Sequence, residues 1–448
     1  MTSPFISDIF INNLASIYNS FISDTDFRKI RELFLDYIGV TLAGNRFNDE
    51  KIAILLDQLP SDGSSCIFGR NCKTSPAASA LMNAMNSHVL ELDDGNRIGM
   101  LHIGAPVFSA LLAFADNIKA DTFFKSAIIG YEAAIRLAMA VQPDAKLKGV
   151  HATGICGTVG AALAISFALN YDLYQIKSTL AAACTSASGL LEMIVDESEL
   201  KIFNVGIAAQ NAVISSFVGK AFFRSPHDPL GGKRGFLNLF SNNPKLKYLE
   251  VFNNSELMIH SVYLKPYAAC RHCHPAIEAA LNIKKTSNLK IDEIKNIVID
   301  TYKLAIQGHD VRDIESIPAS KMSTPFSVAV ALITGEAGMN QFTREYIENA
   351  EVKALMNKIT IVENTHFTAL SPGQRIAEIT INAGNEAISD KVIYPKGEPE
   401  NPLSELDLIN KFKDMAVYAG LEKEKINKII ELVLYKNFMI KEIQDLCR

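Results

Sequence analysis

The run of residues 150–171 constrains the fold more than any other part of the sequence. It has no Asp, Glu, Lys or Arg and is long enough to cross a membrane. Its threonines, serine, asparagine and three glycines favour a buried central helix over a membrane span. Gly154, Gly157 and Gly160 recur at a spacing of three, without the G-x-G pattern or a clear preceding strand. We therefore predict close helix packing here, not phosphate binding.

Helical periodicity extends over most of the first half of the chain. It predicts helices over residues 24–44, 75–94, 107–117, 124–141, 153–169, 173–188 and 205–223. Asp24 or Thr25 is the expected N-cap of the first of these, and Gly44 its end. Many of the segments are rich in Ala, Gly and Ser, which lets helices approach closely.

The pattern changes after about residue 258, where short β-branched segments alternate with helical ones. We predict strands over 294–302, 358–363, 377–382 and 391–394, and helices over 275–285, 321–334 and 343–356. From residue 401 the chain is helical again, with Ser404 as N-cap and Asp407 completing a capping box.

These segments predict a mainly α protein with an α+β domain. Residues 1–258 and 398–448 would form a large all-helical domain, and residues 259–397 a smaller α+β lid inserted into it. The 448 residues, 48% of them hydrophobic, are enough for two such cores.

Charge and cysteine content exclude several classes of protein. The formal net charge of −5, without a basic stripe, argues against a nucleic acid or membrane partner, while a small anionic ligand remains open. The first residues lack the features of a signal peptide, so we expect a cytoplasmic protein. Seven dispersed cysteines argue against a disulfide framework, and the single C-x-x-C of Cys270 and Cys273 lacks the second pair of a zinc site. We expect neither metal nor cofactor.

Residues 87–106 contain the densest group of ionisable side chains. His88, Glu91 and Asp94 are spaced three apart, so a helix continuing to Asp94 would align them on one face. A short loop with His102 follows, and then a new apolar helix begins. The segment has the character of an active-site corner, although a solvated helix end fits these residues as well.

Five segments resemble the MmgE/PrpD superfamily, which includes 2-methylcitrate dehydratases, cis-aconitate decarboxylase and iminodisuccinate epimerase. The segments are LFLDYIGVTLAG (33–44), HVLELDDGNRIGMLHIGAPV (88–107), GVHATGICGTVGAALA (149–164), YLKPYAACRHCHPAIEAAL (263–281) and YPKGEPENPLS (394–404). The resemblance implies a helical domain, an α+β lid and an active site in the cleft between them.

The resemblance also implies functional positions. These are the acidic cluster Glu91, Asp93 and Asp94, the histidines His102 and His151, and the lysines Lys201 and Lys265. This sequence departs from the family pattern in three places: Glu91 replaces the commoner Asp, Gly95 stands where some members have Thr or Ser, and Ile202 replaces Pro.

The same residue types suit proton abstraction next to a carboxylate. The developing enolate needs cations or hydrogen-bond donors aimed at it, and a base nearby. We expect His102 or His151 to transfer protons, with Glu91 and Asp94 orienting them. Lys201 and Lys265 would bind substrate carboxylates.

Other interpretations of single residues remain open. His151 could be an ordinary buried histidine, and Lys201 a surface lysine. Arg271 and His274 are candidate substrate-binding residues, with Arg271 either a carboxylate clamp or a structural residue.

The expected function is a cofactor-independent lyase of a small di- or tricarboxylate, foremost a 2-methylcitrate dehydratase-like hydro-lyase. Decarboxylation, epimerisation or isomerisation of a related acid, and non-catalytic carboxylate binding, are the alternatives. We also expect a homodimer.

Overall fold

The computed structural model describes residues 4–59, 62–194, 198–252 and 256–448. It confirms a mainly α protein with a smaller α+β part. The first part consists of twelve α-helices and a two-stranded ribbon among the described residues. The helices are α1 Ile6–Asn19, α2 Asp24–Phe47, α3 Asp49–Asp57, α4 Pro76–His88, α5 Gly104–Leu112, α6 Ala120–Val141, α7 Asp144–Leu147, α8 Ala152–Ala168, α9 Leu173–Ser186, α10 Lys201–Lys220, α11 Phe236–Phe240 and α12 Lys247–Glu250; the strands are β1 Ser65–Cys66 and β2 Lys73–Thr74.

A four-stranded sheet organises the second part. The strands are β3 Ile294–Thr301, β4 Ile359–Glu363, β5 Ala377–Ala383 and β6 Glu386–Val392, in the order β4-β3-β5-β6. Only β3 and β4 pair in parallel. The helices are α13 His274–Thr286, α14 Ile317–Met322, α15 Thr324–Thr334, α16 Arg344–Glu348, α17 Ala350–Met356 and α18 Thr365–Leu370.

The last three helices return to the helical part: α19 Glu405–Tyr418, α20 Lys423–Tyr435 and α21 Ile440–Leu446. Phe412, Ile429 and Ile443 from these helices lie in the same large hydrophobic core as Phe34 and Phe123. A second core lies between the sheet and its covering helices. The two cores do not divide at residues 259 and 397: Val262 and Leu264 lie in the first core, and Leu90, Leu92 and Met415 lie in the second. The predicted domain bounds stay a prediction.

Two helix starts follow directly from local sequence. Ser23, not the expected Asp24 or Thr25, caps α2 and forms a capping box with Asp26. The predicted box of Ser404 and Asp407 is present at the start of α19. Each box satisfies backbone N–H groups that have no partner inside the helix.

The three glycines of α8 serve helix packing, as predicted. A β-carbon at Gly160 would lie 2.5 Å from the Gly130 carbonyl oxygen on α6, and one at Gly154 would lie 2.1 Å from the Ser188 carbonyl oxygen. A β-carbon at Gly157 would lie 2.9 Å from Pro106. Almost all of α8 is buried, which confirms the buried central helix.

Several predicted bounds are wrong. The helix predicted over 75–94 ends at His88, so Glu91 and Asp94 share no helix face with it. The predicted helices 321–334 and 343–356 are each divided into two in the structure. The strand predicted over 391–394 is β6, which begins at Glu386 because it pairs with β5 through a two-residue turn. Its first residues are largely polar and lie at a sheet edge, so they lack a hydrophobic pattern.

Among the described residues, α10 is long and apolar enough to cross a membrane by length and composition, and half of it is buried inside the protein.

The contact between α6 and α8 gives a stability prediction. We expect Gly160→Ala to lower the free energy of unfolding by about 1–3 kcal/mol, because backbone must shift to admit the β-carbon. Gly338→Ala is the control, since its β-carbon would meet only the Gln341 side chain at 3.5 Å. Urea denaturation measures both, and equal effects would contradict the proposed close approach.

Candidate active site

The acidic corner turns sharply after α4. Glu91 has a φ of 55°, in the left-handed region that a residue with a β-carbon seldom occupies. On either side of it, Leu90 and Leu92 are buried in the core of the sheet part. Packing of these two leucines therefore ends the helix and turns the Glu91 carboxylate the other way, toward the lysines.

Glu91 joins two lysines that are far apart in the sequence. Lys201, at the start of α10, is in ion-pair contact with Glu91 Oε1, and Lys265 Nζ lies 3.0 Å from Oε2. Lys265 is fully buried and lies 3.5 Å from Asp93 Oδ1 as well. Burial alone would raise the pKa of Glu91, but Lys201 and Lys265 outweigh it and hold that pKa well below its usual range. The pKa of Lys265 is raised because Glu91 and Asp93 outweigh its own burial.

Asp93 connects this cluster to two histidines. Its Oδ2 lies 2.8 Å from His88 Nδ1 and 3.2 Å from His102 Nδ1. The rings of His88 and His102 are 4.6 Å apart. Burial favours protonation of Asp93, but His102, His88 and Lys265 outweigh it and hold the Asp93 pKa well below its usual range. Asp93 is therefore the carboxylate that holds His88 and His102, while Glu91 lies 3.8 Å from His88 Nε2.

Asp94 shapes the loop that carries His102. Its carboxylate accepts hydrogen bonds from the backbone N–H groups of Ile103 and Gly104 and from the Tyr131 hydroxyl. Its backbone carbonyl accepts a hydrogen bond from His102 Nδ1 at 2.7 Å. Burial raises the pKa of Asp94 to about 6, although the bonds from Tyr131 and Gly104 oppose the rise. Asp94 thus acts on His102 through the backbone.

The two candidate histidines are held in complementary tautomers. Because His102 Nδ1 faces the Asp94 carbonyl, it carries the proton and leaves Nε2 with a lone pair. The amide of Asn204 donates to the Leu190 carbonyl and to His151 Nδ1, so the proton of His151 lies on Nε2. Burial lowers the pKa of both histidines, partly opposed at His102 by Asp93 and reinforced at His151 by Lys201. Both rings are therefore neutral at pH 7.

A cleft of about 830 Å³ opens beside this cluster, between the helical part and the segment 307–322 of the sheet part. Glu91 and Lys201 lie on its wall, and Lys265 lies behind Glu91. The remaining wall is largely apolar, with Phe47, Leu81, Met85, Val89, Phe203 and Val311 among its residues. This volume is ample for a small acid.

Lys321 completes the cationic side of the cleft. It is buried on the wall, and its Nζ donates to the Val89 carbonyl oxygen at 3.3 Å. Burial lowers the pKa of Lys321 to about 8; Lys265 and Lys201 act in the same direction, and Glu91 opposes them. Lys321 therefore holds a proton at neutral pH that it releases more readily than an exposed lysine.

Arg271 and His274 are not brought into this cluster. The five N–H donors of Arg271 are taken up by Glu398, His274 and the carbonyl oxygens of Pro395 and Lys396. His274 is fully buried, accepts from Arg271 through Nδ1 and donates to the Ala269 carbonyl through Nε2. Their partners are structural, so the structure does not support the proposed clamp.

The departure at Gly95 has a local cause. A β-carbon there would lie 2.4 Å from the Tyr263 hydroxyl oxygen. The backbones of Gly95 and Tyr263 also exchange two hydrogen bonds. The ring of Tyr263 thus fills the space that a Ser or Thr side chain would need.

His88, Asp93 and His102 offer three potential metal-ligand atoms within 4.8 Å of one another. The Asp93 carboxylate already faces the Lys265 ammonium at 3.5 Å. A dication would have to bind beside that positive charge, which makes the group a poor metal site. Metal independence itself stays a prediction.

Sequence reasoning named Asp93 in the acidic cluster without giving it a role, and it missed two residues of this region. Lys321 lay at the start of a predicted helix, and His309, on the cleft wall, had no supporting context. Their positions depend on the folding of the lid against the helical part, for which the local sequence carries no signal.

A mainly α fold with a smaller α+β part and a buried lysine–carboxylate–histidine cluster define the class of protein. The chain belongs to the MmgE/PrpD family, because the profiles of the MmgE/PrpD N-terminal domain and C-terminal domain match residues 14–249 and 267–436.

Three curated relatives are similar over most of their length. A cis-aconitate decarboxylase-like protein, oryM, of Aspergillus oryzae is 25% identical, with 91% of this chain and 89% of the relative covered. A cis-aconitate decarboxylase of Aspergillus terreus is 25% identical, with 91% and 88% covered. The cis-aconitate decarboxylase of Mus musculus is 22% identical, with 91% and 86% covered. The family and these relatives support a lyase of small carboxylic acids.

The raised pKa of Asp94 gives a pH-dependent prediction. The folded protein binds this proton more tightly than the unfolded chain, so its stabilising effect is present at pH 4 and is lost as pH rises through about 6. The variant Asp94→Asn has no titrating carboxyl group at this position, so it does not lose this stability as pH rises. We expect the variant to gain about 2–3 kcal/mol relative to the wild type between pH 4 and pH 7.

Urea denaturation across this pH range measures the difference. Asp57→Asn, at an exposed aspartate, controls for the change in net charge. A difference between Asp94→Asn and the wild type that is independent of pH would contradict the titration of Asp94.

Proposed function

We propose that this protein is a cofactor-independent lyase of small di- or tricarboxylic acids that works through an enolate-like intermediate. The observation that carries the proposal is the placement of Lys201 and Lys265 on the two oxygens of one carboxylate, that of Glu91, at the cleft wall. Two ammonium groups at this spacing fit a carboxylate and the negative charge that develops beside it.

The Glu91 carboxylate occupies the place between Lys201 and Lys265 in the free protein. A substrate carboxylate that enters the cleft would share or replace its contacts with the two lysines. The left-handed backbone of Glu91 makes its place less favourable than that of a relaxed residue. The proposed binding step therefore exchanges one carboxylate for another, which limits the cost of desolvating the lysines.

The tautomers of the two histidines support a division of roles. His102 presents its Nε2 lone pair and is neutral, as a general base must be. His151 presents an Nε2–H donor that could stabilise the developing enolate. In a dehydration or epimerisation, His102 removes the proton next to the carboxylate, and Asp93 stabilises the resulting imidazolium. In a decarboxylation, the electrons of the bond to the departing CO2 form the enolate, and the imidazolium form of His102 gives its Nε2 proton to the enolate carbon.

Decarboxylation of an unsaturated tricarboxylate such as cis-aconitate is the favoured reaction, because the relatives named above are decarboxylases or decarboxylase-like. Dehydration of a 2-methylcitrate-like acid is the second candidate. It requires an acid that protonates the departing hydroxyl group, and Lys321, with a pKa of about 8 on the cleft wall, is suited to that step. Proton NMR of reactions with cis-aconitate and with 2-methylcitrate distinguishes the two products.

The first mutational prediction concerns the base. We expect His102→Gln to lower kcat by roughly two to four orders of magnitude with little change in KM, because an acid–base group is lost. His366→Gln, at an exposed histidine, is the matched control and should retain activity. Near wild-type kcat for His102→Gln on a confirmed substrate would exclude His102 as the group that transfers the proton.

The second concerns carboxylate binding. We expect Lys201→Met to raise KM by roughly ten- to a hundredfold and to lower kcat/KM at least as much, because a charged hydrogen bond contributes about 1.5–3 kcal/mol. Lys51→Met is the control, since Lys51 lies on the same cleft wall but pairs with the exposed Glu199. Equal effects of the two substitutions would indicate a general charge effect and contradict a specific site.

Full activity after treatment with a chelator is also expected.

A further inference from the structure

The lid carries a thiol–imidazole pair that the proposed lyase reaction does not use. Cys270 Sγ lies 3.7 Å from His309 Nε2. His309 Nδ1 donates to the Met322 carbonyl oxygen at 2.9 Å, so the ring is held with Nε2 toward the sulfur. Burial opposes both charges, but each partner outweighs it at the other: the pKa of Cys270 is lowered and that of His309 is raised well above its usual value. Both shifts favour the thiolate and imidazolium forms of the pair.

The pair lies at the cleft. His309 and Met322 are on its wall, and the backbone N–H of Cys270 donates to the carbonyl oxygen of Lys321, a third wall residue. Cys270 is partly exposed, whereas the neighbouring Cys273 is buried and accepts a hydrogen bond from Thr324. Of the two cysteines in the C-x-x-C motif, Cys270 is the more exposed.

The charges around the sulfur are mainly positive. Cations from four separate parts of the chain interact electrostatically with Cys270, and Glu91 opposes them. The cations are Lys146, Lys201, Lys265 and Arg375. Such surroundings stabilise a thiolate and also draw in a carboxylate.

We propose that Cys270 and His309 form a nucleophilic pair that captures α,β-unsaturated carboxylic acids as a thioether. The sulfur forms a bond to the β-carbon, and the electrons of the C=C bond move to the α-carbon. His309 gives its Nε2 proton to that carbon, so no atom leaves and no oxidant is needed. The identity of the electrophile rests on the proposed function, because a lyase of such acids forms or consumes a carboxylate-conjugated alkene. The nucleophilicity of the pair does not rest on that function.

Incubation of the full-length protein with itaconic acid (methylenesuccinic acid) at pH 6.5, followed by intact-mass measurement and peptide mapping, tests the proposal. We expect one adduct, heavier by the whole mass of the acid, on Cys270. Methylsuccinic acid, which lacks the alkene, should give none. Absence of an adduct, or equal labelling of the partly exposed Cys72 and Cys184, would overturn the proposal.

Three variants separate the pair from a merely accessible thiol. Cys270→Ser should abolish the adduct, and Cys273→Ser, the matched control, should retain it. His309→Gln should slow labelling about tenfold at pH 6.5, because the smaller thiolate fraction is only partly offset by the greater nucleophilicity of each thiolate. At pH 9 the labelling rate of this variant should recover. An equal rate for His309→Gln at pH 6.5 would overturn the pairing.

The readout does not depend on turnover. An adduct in a protein that turns over none of the tested acids would contradict the lyase and support the nucleophilic pair. Turnover without any adduct would contradict the pair alone.

Discussion

The contact of Glu91 with Lys201 and Lys265 is the constraint on which the rest of the site depends. Lys265 is fully buried, and an unpaired ammonium group in that environment would cost several kcal/mol. Glu91 and Asp93 together supply the compensating charge. The fold therefore has to bring the acidic corner, the start of α10 and the segment around Lys265 to one place, and in doing so it forms the cleft wall.

Apolar packing holds this charged arrangement in position. Leu90 and Leu92 alternate with the acidic side chains and are buried in the core of the sheet part, although α4 before them belongs to the helical part. One short segment thus ties the two parts together and presents its carboxylates to the lysines. Glu398 forms a second tie, since it binds both Arg97 and Arg271. Arg271 supports the site by joining segments of chain, not by facing the cleft.

Local sequence patterns predicted the helices and strands better than they predicted the side-chain contacts of the site. Periodicity, the capping box at Ser404 and the glycines of α8 involve residues close in sequence or one repeating face, and these predictions are confirmed. The helix end at His88 was missed because burial of Leu90 in a distant core overrides helical periodicity. The sequence left the role of Arg271 open, because its partners Glu398, Pro395 and Lys396 lie more than 120 positions away.

The sequence by itself determined the mainly α class, the smaller α+β part and the residue types from which the site is built. Only the tertiary structure decided which acid serves which base: Asp93 faces His88 and His102, Glu91 faces two lysines, and Asp94 acts through its backbone. The reason is physical. Helix and strand formation depends on neighbours a few residues apart, whereas an ion pair such as Glu91 and Lys265 depends on a separation in space between residues 174 positions apart.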